Sequence, residues 1–177
     1  MSFIYRNLAE VCIFFILPLM LFTEFFTGQP QITLNNKNKD WYNTISKRIT
    51  LMPPNWIFGV IWPIIYILIW ISLFILYRNT DFTDPTRNYM IDVITILFIL
   101  NIITNKMWTF VFFRLRRLII ALIMLIFIIL SSITILIIFG INQKWLEFGL
   151  FIIYPIWCSF ALYLNISFVI ISNKINK

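Results

Sequence analysis

The sequence predicts an all-α integral membrane protein, a single domain built as a bundle of five transmembrane helices. Of its 177 residues, 61% are hydrophobic and only 12% are charged, whereas a soluble domain is about half apolar and about a quarter charged. The apolar residues form five long runs without the alternation of a membrane β-strand. Each run is close to or longer than the roughly 20 residues that a spanning helix needs. The predicted spans are residues 9–27, 55–77, 90–113, 119–139 and 148–171.

The five runs are bounded with unequal clarity. The first is the weakest, because Pro18 and Glu24 interrupt it. A signal peptide is the alternative there, although no small-residue cleavage site follows. Glu24 lies near the end of its run, so we expect it at the membrane interface. The second run contains Pro63, which predicts a kink because proline donates no backbone hydrogen bond. Charged and turn-forming segments at 78–89, 114–118 and 140–147 separate the remaining runs.

The distribution of basic residues predicts the orientation. With five spans, the long loop 28–54, the 114–118 turn and the C-terminus share one side, which carries nine lysines and arginines against four on the other. The richer side is expected in the cytoplasm. A composition rich in Ile, Asn, Lys and Phe is typical of an AT-rich genome and favours a bacterial cell membrane. The net charge of +7 lies in these loops, so it does not indicate nucleic-acid binding.

The residue content excludes several chemistries. The chain has no histidine, which removes the usual haem ligand, the commonest metal ligand and the usual general base. Cys12 and Cys158 lie in separate apolar runs and are interpreted as buried hydrophobic residues. No nucleotide-binding, hydrolase or zinc-protease motif is present. We therefore expect no metal site and no required cofactor.

An aromatic ladder marks the second span. Large rings recur every four residues, and steps of four advance only about 40° around a helix, so the rings share one side. Lipid contact does not require such a ladder. It indicates a site for a large, flat, apolar ligand, with a packed helix interface as the alternative favoured by spacing alone. The ladder consists of Phe58, Trp62, Tyr66, Trp70 and Phe74.

The third and fifth spans carry polar faces. Asn101 and Asn105 share a face with Trp108, and amides in hydrocarbon need partners, so this face is expected to point into the bundle. The amides either anchor a ligand's edge or join helices. Lys106 is expected to extend toward the cytoplasmic face; binding of a carboxylate is the alternative. The corresponding side of the fifth span contains Tyr154, Trp157, Cys158, Ala161 and Asn165.

Two further segments complete the organisation. Trp41, Tyr42 and Ile45 predict a short helix in the first loop, which either covers the mouth of the bundle as a lid or belongs to an ordinary interfacial aromatic belt. The fourth span is nearly featureless apart from small hydroxyl residues, which can bond to carbonyls of their own helix. We interpret it as scaffold or subunit interface.

The arrangement of these motifs resembles the TspO/translocator protein family of tryptophan-rich sensory proteins and peripheral-type benzodiazepine receptors. The resemblance covers about residues 41–173, in family order. Its most specific blocks are the Pro-Pro motif with its aromatic ladder and the Asn-Trp-Phe-Phe pattern of the third span. The matching positions are Trp41-Tyr42, Pro53-Pro54, Phe58, Trp62, Tyr66, Asn105, Trp108, Phe112-Phe113, Arg116, Ala121, Tyr154, Trp157, Ala161 and Asn165.

The resemblance implies a five-helix bundle, usually a homodimer, that binds porphyrins, sterol-like lipids and synthetic aromatic ligands. It assigns Trp41 and Tyr42 to a lid over the pocket. It places Trp62, Asn105, Trp108, Tyr154, Trp157 and Ala161 in the pocket wall, and the ladder adds Phe58 and Tyr66. In some bacterial members, the positions of Trp62 and Trp157 are linked to light- and oxygen-dependent porphyrin breakdown.

The chain also departs from the family pattern. Lys47-Arg48 replaces a Lys-Pro pair, Met124 stands at an acidic position, and Ile166 stands where the family has tyrosine. The C-terminal sterol motif is therefore absent, which favours porphyrin over sterol. The expected function is binding, and transport or sensing, of a flat hydrophobic ligand. The alternatives are tryptophan-assisted porphyrin degradation and a structural subunit of a membrane complex.

Overall fold

The computed structural model describes residues 36–80 and 85–175, which are helical apart from short turns. The first predicted span, with Cys12 and Glu24, lies outside the described residues. The elements are α1 (Asn36–Ser46), α2 (Asn55–Arg78), α3 (Pro85–Thr109), a π-helical turn (Phe110–Arg114), α4 (Leu118–Ile141), α5 (Trp145–Phe151) and α6 (Ile153–Ile175).

Four segments of the described chain are long and apolar enough to cross a membrane. They are α2, α3 with the π-helical turn, α4, and α5 with α6. They coincide with the second to fifth predicted spans, so the all-helical membrane architecture is confirmed for this part of the chain. The count of five spans stays a prediction.

Proline explains one departure from the predicted boundaries. The sequence predicts a single helix over 148–171, but the structure has α5 and α6 separated at Ile152. Pro155 has no backbone N–H for the carbonyl of Phe151, four residues earlier, so the α-helical ladder is interrupted there. Pro63, in contrast, lies inside α2 without ending it; the kink predicted at that position stays a prediction.

The outer surface of the bundle is as apolar as its interior. On α4, Ile123 and Leu130 are exposed, whereas Leu125 and Ile128 are buried. A helix that is hydrophobic on all sides is typical of a membrane span, because both lipid and protein neighbours are apolar. Exposed aromatic residues near helix ends fit the interfacial belts of membrane proteins. These are Trp56, Tyr89 and Trp145.

Three helix pairings organise the described core. The helix α4 packs along both α3 and α6, and α2 packs mainly against α5. The short helix α1 lies against α6 and the π-helical turn. Its predicted helical structure is therefore confirmed, and we refer to this end of the molecule as the α1 end. The arrangement directs parts of α2, α3 and α6 toward a common interior.

Asn101 joins α3 to α4 inside the bundle. Its carboxamide nitrogen lies 2.7 Å from the Ser131 hydroxyl oxygen and 3.0 Å from that of Ser132. Both serines also donate to carbonyls of α4 itself, as the sequence predicts. The alternative of an interhelical bond is therefore the one that the structure shows for Asn101. The helix interpreted as featureless scaffold supplies its partners.

Replacing Asn101 with alanine is expected to destabilise the bundle. The variant leaves the two serine hydroxyls without this interhelical partner, and such contacts contribute about 1–2 kcal/mol in membrane model peptides. We expect a loss of that size in unfolding measured in mixed micelles. Thr104→Ala is the control, because Thr104 bonds to Leu100 of its own helix at an exposed position. Equal stability of the two variants would contradict the role of Asn101.

Candidate aromatic binding site

Trp62 lies at the centre of an aromatic cluster between α2 and α6. Its ring stacks on Tyr66 with the ring centres 5.5 Å apart. Edge contacts of 6.5 Å join it to Tyr154 and to Trp157. Trp62 is 8% exposed, so the ring faces the interior. Tilted and perpendicular rings of this kind present both faces and edges to a neighbour, which suits a flat aromatic partner.

The rest of the ladder divides into two groups. Phe58 contacts Trp157 with ring centres 5.8 Å apart and so belongs to the same cluster. Trp70 and Phe74 contact each other at 5.7 Å, farther along α2. The ladder therefore supplies Phe58, Trp62 and Tyr66 to the cluster, and its far end to helix packing.

A chain of hydrogen bonds forms the polar floor beside this cluster. The Tyr66 hydroxyl donates to Oδ1 of Asn105 at 2.9 Å. Nδ2 of Asn105 donates to the Tyr154 hydroxyl at 3.2 Å. Tyr154 in turn donates to Oδ1 of Asn101, whose Nδ2 reaches the hydroxyls of α4. Four helices, α2, α3, α6 and α4, are thereby joined in one direction of donation.

Asn105 holds a position inside this chain. Both ends of its carboxamide already have a protein partner, one on α2 and one on α6. A primary amide has a second N–H and a second acceptor site, so a ligand's edge can still be met there. Asn105 is also 3% exposed, so it faces the interior of the bundle, as the sequence predicts.

Lys106 is directed toward α2. Its Nζ lies 5.5 Å from the centre of the Tyr66 ring, over the ring face. This distance is within the range of a cation–π interaction. The ammonium group thus lies over a ring of the cluster; the extension of Lys106 toward the cytoplasmic face stays a prediction.

Two rings of α1 pack against the π-helical turn and α6, in a layer at the α1 end of the molecule. Tyr42 stacks on Phe168 of α6 at 5.3 Å and approaches Phe113 at 5.7 Å. Trp41 contacts Phe168 at 5.6 Å and Phe112 at 6.2 Å. These contacts join α1 to the end of α3 and to α6. Trp108 belongs to the same layer, because its ring lies 5.4 Å from that of Phe112.

Tyr42 contributes to this layer as a neutral phenol. Burial raises the pKa of Tyr42 above its ordinary value of 10.0. The folded state therefore retains the proton in a range where the unfolded chain loses it. The stability that this group contributes is complete below pH 10 and declines as the pH rises above that value. Its hydroxyl is 3.5 Å from Oδ1 of Asn55, at the start of α2.

Arg116 contacts two residues of α1. Its guanidinium lies 5.3 Å from the centre of the Trp41 ring and donates to Oδ1 of Asn38. Its backbone has φ 54°, the left-handed conformation that is uncommon for residues other than glycine. The turn follows the π-helical segment, in which the Leu115 N–H bonds to the carbonyl of Phe110. Helical segments of this kind occur often at functional sites.

The predicted site residues thus fall into two layers. The inner layer, defined by the ring contacts and hydrogen bonds around Trp62, contains Phe58, Trp62, Tyr66, Asn105, Tyr154 and Trp157. The covering layer contains Trp41, Tyr42 and Trp108. Ala161 lies on α6, one turn from Trp157 toward the covering layer. Sequence reasoning missed the contributions of Asn38 and Phe168; the spacing of Phe168 after Ala161 and Asn165 on one face of α6 was the available signal.

Comparison with known proteins identifies the family to which this arrangement belongs. The profile of the TspO/MBR family matches residues 12–171, which include α1 to α5 and most of α6. The chain belongs to the TspO/MBR family. The resemblance found in the sequence motifs is therefore confirmed, and this family of membrane proteins accounts for the apolar spans.

Relatives in this family come from distant microorganisms. The chain is 29% identical to the tryptophan-rich protein TspO of Bacillus cereus over 128 residues, 72% of this chain and 78% of the relative. It is 31% identical to protein CrtK of Rhodobacter capsulatus over 128 residues, 72% and 75% of the two chains. A TspO of Archaeoglobus fulgidus is 31% identical over 93 residues, 52% and 51% of the two. No solved structure matches the chain significantly.

Replacing Arg116 with alanine is expected to loosen α1 in this TspO/MBR family protein. The substitution removes a cation–π contact and a charge-assisted hydrogen bond, each of about 1 kcal/mol or more. Since about 1.4 kcal/mol corresponds to a factor of ten, amide hydrogen exchange in α1 should accelerate about tenfold or more. Arg114→Ala is the control, because Arg114 lies over Phe110. Unchanged exchange in Arg116→Ala would contradict the anchoring.

Proposed function

We propose that this protein binds a tetrapyrrole, or a ligand of similar flat hydrophobic shape, between α2 and α6, and that it serves as a receptor or carrier for it. The observation that carries the proposal is the cluster around Trp62. Two helices contribute mutually perpendicular rings there, and α1 covers one end with two more. A porphyrin offers a flat π-face of the kind on which such rings stack.

The polar groups support the same ligand class. A free porphyrin carries two propionates, and the α1 end carries several cations that can pair with carboxylates. These include Arg114, Arg116 and Arg117. The chain has no histidine, so a metal-free porphyrin suits it better than a haem held by an imidazole. Neither a required cofactor nor a bound metal belongs to this proposal.

The setting that we propose is a bacterial cell membrane. The protein is a multi-pass membrane protein of this family, and the excess of lysine and arginine in the first loop, the 114–118 turn and the C-terminus supports a cytoplasmic location of the α1 end. A homodimer with a hydrophobic small molecule as its ligand completes the proposal. The relatives' names, tryptophan-rich protein TspO and protein CrtK, are compatible with it.

Titration with protoporphyrin IX tests this function. We expect saturable quenching of tryptophan fluorescence in the detergent-solubilised protein. In a Trp62→Ala/Trp157→Ala double variant, the dissociation constant should rise at least tenfold, because each stacked ring contributes about 0.5–1.5 kcal/mol beyond its buried area. Trp145→Ala is the control, since Trp145 is exposed at a helix end. Unchanged affinity in a folded double variant would reject the assignment.

A second candidate is light- and oxygen-dependent oxidation of the porphyrin. The edge contact of Trp62 with Trp157 favours it, because two oxidisable indoles meet at the proposed ligand face. No general base is needed, so the absence of histidine does not oppose it. The third possibility, a structural subunit, predicts no saturable porphyrin binding and stable co-purification with a larger complex.

Illumination separates oxidation from binding alone. The protein is illuminated with protoporphyrin IX in the presence and absence of oxygen, and absorption spectra are followed. Oxidation predicts a new absorbing product in the wild type and about tenfold less of it in Trp62→Phe, which keeps an aromatic ring without the indole. A product formed equally by the wild type and the variant would reject a role for this indole.

A further inference from the structure

The buried side-chain amide of Asn165 on α6 takes no part in the hydrogen-bond network described above. Asn165 is 0% exposed. Neither its Oδ1 nor its Nδ2 has a hydrogen-bond partner in the part of the chain that the structure describes. Asn101 and Asn105, in contrast, are bonded at both ends of their amides. A buried polar group without a partner is destabilising and calls for an explanation.

The position of Asn165 places it between the two layers of the site. It follows Ala161 by one helical turn and precedes Phe168 by three residues, so all three share the buried face of α6. Phe168 contacts two rings of α1, those of Trp41 and Tyr42. The carboxamide therefore lies directly beneath the covering layer, on the side facing the inner cluster.

A second unpartnered group among the described residues belongs to Trp108 of the covering layer. The indole Nε1 of Trp108 is buried and has no hydrogen-bond partner among the described residues. The Trp108 ring lies 5.4 Å from Phe112, whose ring is 5.1 Å from Phe168. One shared phenylalanine thus connects Trp108 on α3 with the turn of α6 that carries Asn165.

The chemistry of the two groups defines what they can receive. An indole N–H only donates, whereas a carboxamide both donates and accepts. A donor on α3 and a donor on α6 at the same end of the bundle suit an oxygen acceptor, such as the carbonyl oxygen of an acid or ester group. Neither group is charged, so recognition of the oxygen does not require an ionised ligand.

We propose that Asn165, together with the indole N–H of Trp108, forms a polar subsite beneath α1 that receives a carbonyl or carboxyl oxygen at the edge of the flat ligand. The subsite rests on the proposed function, because it concerns the same proposed ligand site. It adds a residue outside the inner and covering layers and assigns the ligand's polar edge to the α1 end. The hydrogen-bonded pair Asn105 and Tyr154 then forms the polar floor of the proposed site.

Three porphyrins and two variants test the subsite. The probes are protoporphyrin IX with two carboxyl groups, its dimethyl ester with two uncharged carbonyls, and octaethylporphyrin without oxygen. Asn165→Leu is expected to raise the dissociation constants of the first two about tenfold and to leave that of octaethylporphyrin unchanged. Trp108→Phe keeps an aromatic ring, removes the indole N–H and should show the same selectivity with a smaller loss. Ser167→Ala is the control, because this hydroxyl bonds to its own helix.

The outcomes distinguish the subsite from the function on which it rests. A wild type that binds none of the three porphyrins would reject the proposed function and this ligand class. Wild-type binding together with equal effects of Asn165→Leu on all three probes, or with no effect, would overturn the subsite alone. If Asn165→Leu raised the dissociation constant of protoporphyrin IX but not that of its dimethyl ester, the recognition of an uncharged oxygen would be overturned.

Thermal unfolding without ligand provides an independent measure. The Asn165 amide has no hydrogen-bond partner among the described residues, so Asn165→Leu should unfold at the same temperature as the wild type or at a higher one. A lower unfolding temperature would show that the carboxamide has a structural partner and would overturn the subsite.

Discussion

The described part of the molecule depends on one buried run of hydrogen bonds, from Tyr66 through Asn105, Tyr154 and Asn101 to the serines of α4. Apolar contact alone gives little preference for one helix neighbour over another in lipid, because lipid tails are as apolar as leucine. Directed hydrogen bonds supply that preference. Each polar group in the run needs its neighbour, so helices α2, α3, α4 and α6 are held in one relative arrangement.

The two tyrosines of this hydrogen-bonded run also belong to the aromatic cluster. Tyr66 presents its hydroxyl to Asn105 and its ring to Trp62. Tyr154 presents its hydroxyl to the amides and its edge to the same tryptophan. Each tyrosine thus serves the bundle with its polar end and the candidate site with its ring. Stability and ligand contact are distributed over different atoms of the same side chains.

Much of this arrangement could be predicted from the sequence, and the physical reasons are specific. Hydropathy and length locate α2 and α4, because a membrane span must be long and apolar. Helical spacing brings Phe58, Trp62 and Tyr66 to one side. Spacing does not tell whether a buried amide bonds to a ligand or to another helix, since either partner can satisfy the hydrogen bonds of the amide. The bond from Asn101 to Ser131 and Ser132 depends on the position of α4, which no spacing within α3 encodes.

Other features depend on contacts that no local pattern encodes. The separation of α5 from α6 follows from Pro155, a residue visible in the sequence but compatible with a continuous first turn. Arg116 contacts Trp41, which is far away in the sequence. The left-handed backbone at Arg116 could not be predicted, because the residue is not a glycine. Motif resemblance identified the positions of the binding-site candidates, but their partners had to come from the three-dimensional arrangement.

The π-helical turn at Phe110–Arg114 has a consequence for how this region tolerates changes in length. Its wider hydrogen-bond spacing accommodates one residue more than an α-helical turn and leaves Val111, Phe112 and Phe113 all buried. Deleting one residue would restore the α-helical ladder, rotate the following backbone and turn Arg116 away from Trp41. The number of residues between Trp108 and Arg116 is therefore as strict a requirement as their identities, so insertions and deletions here should be rarer than substitutions.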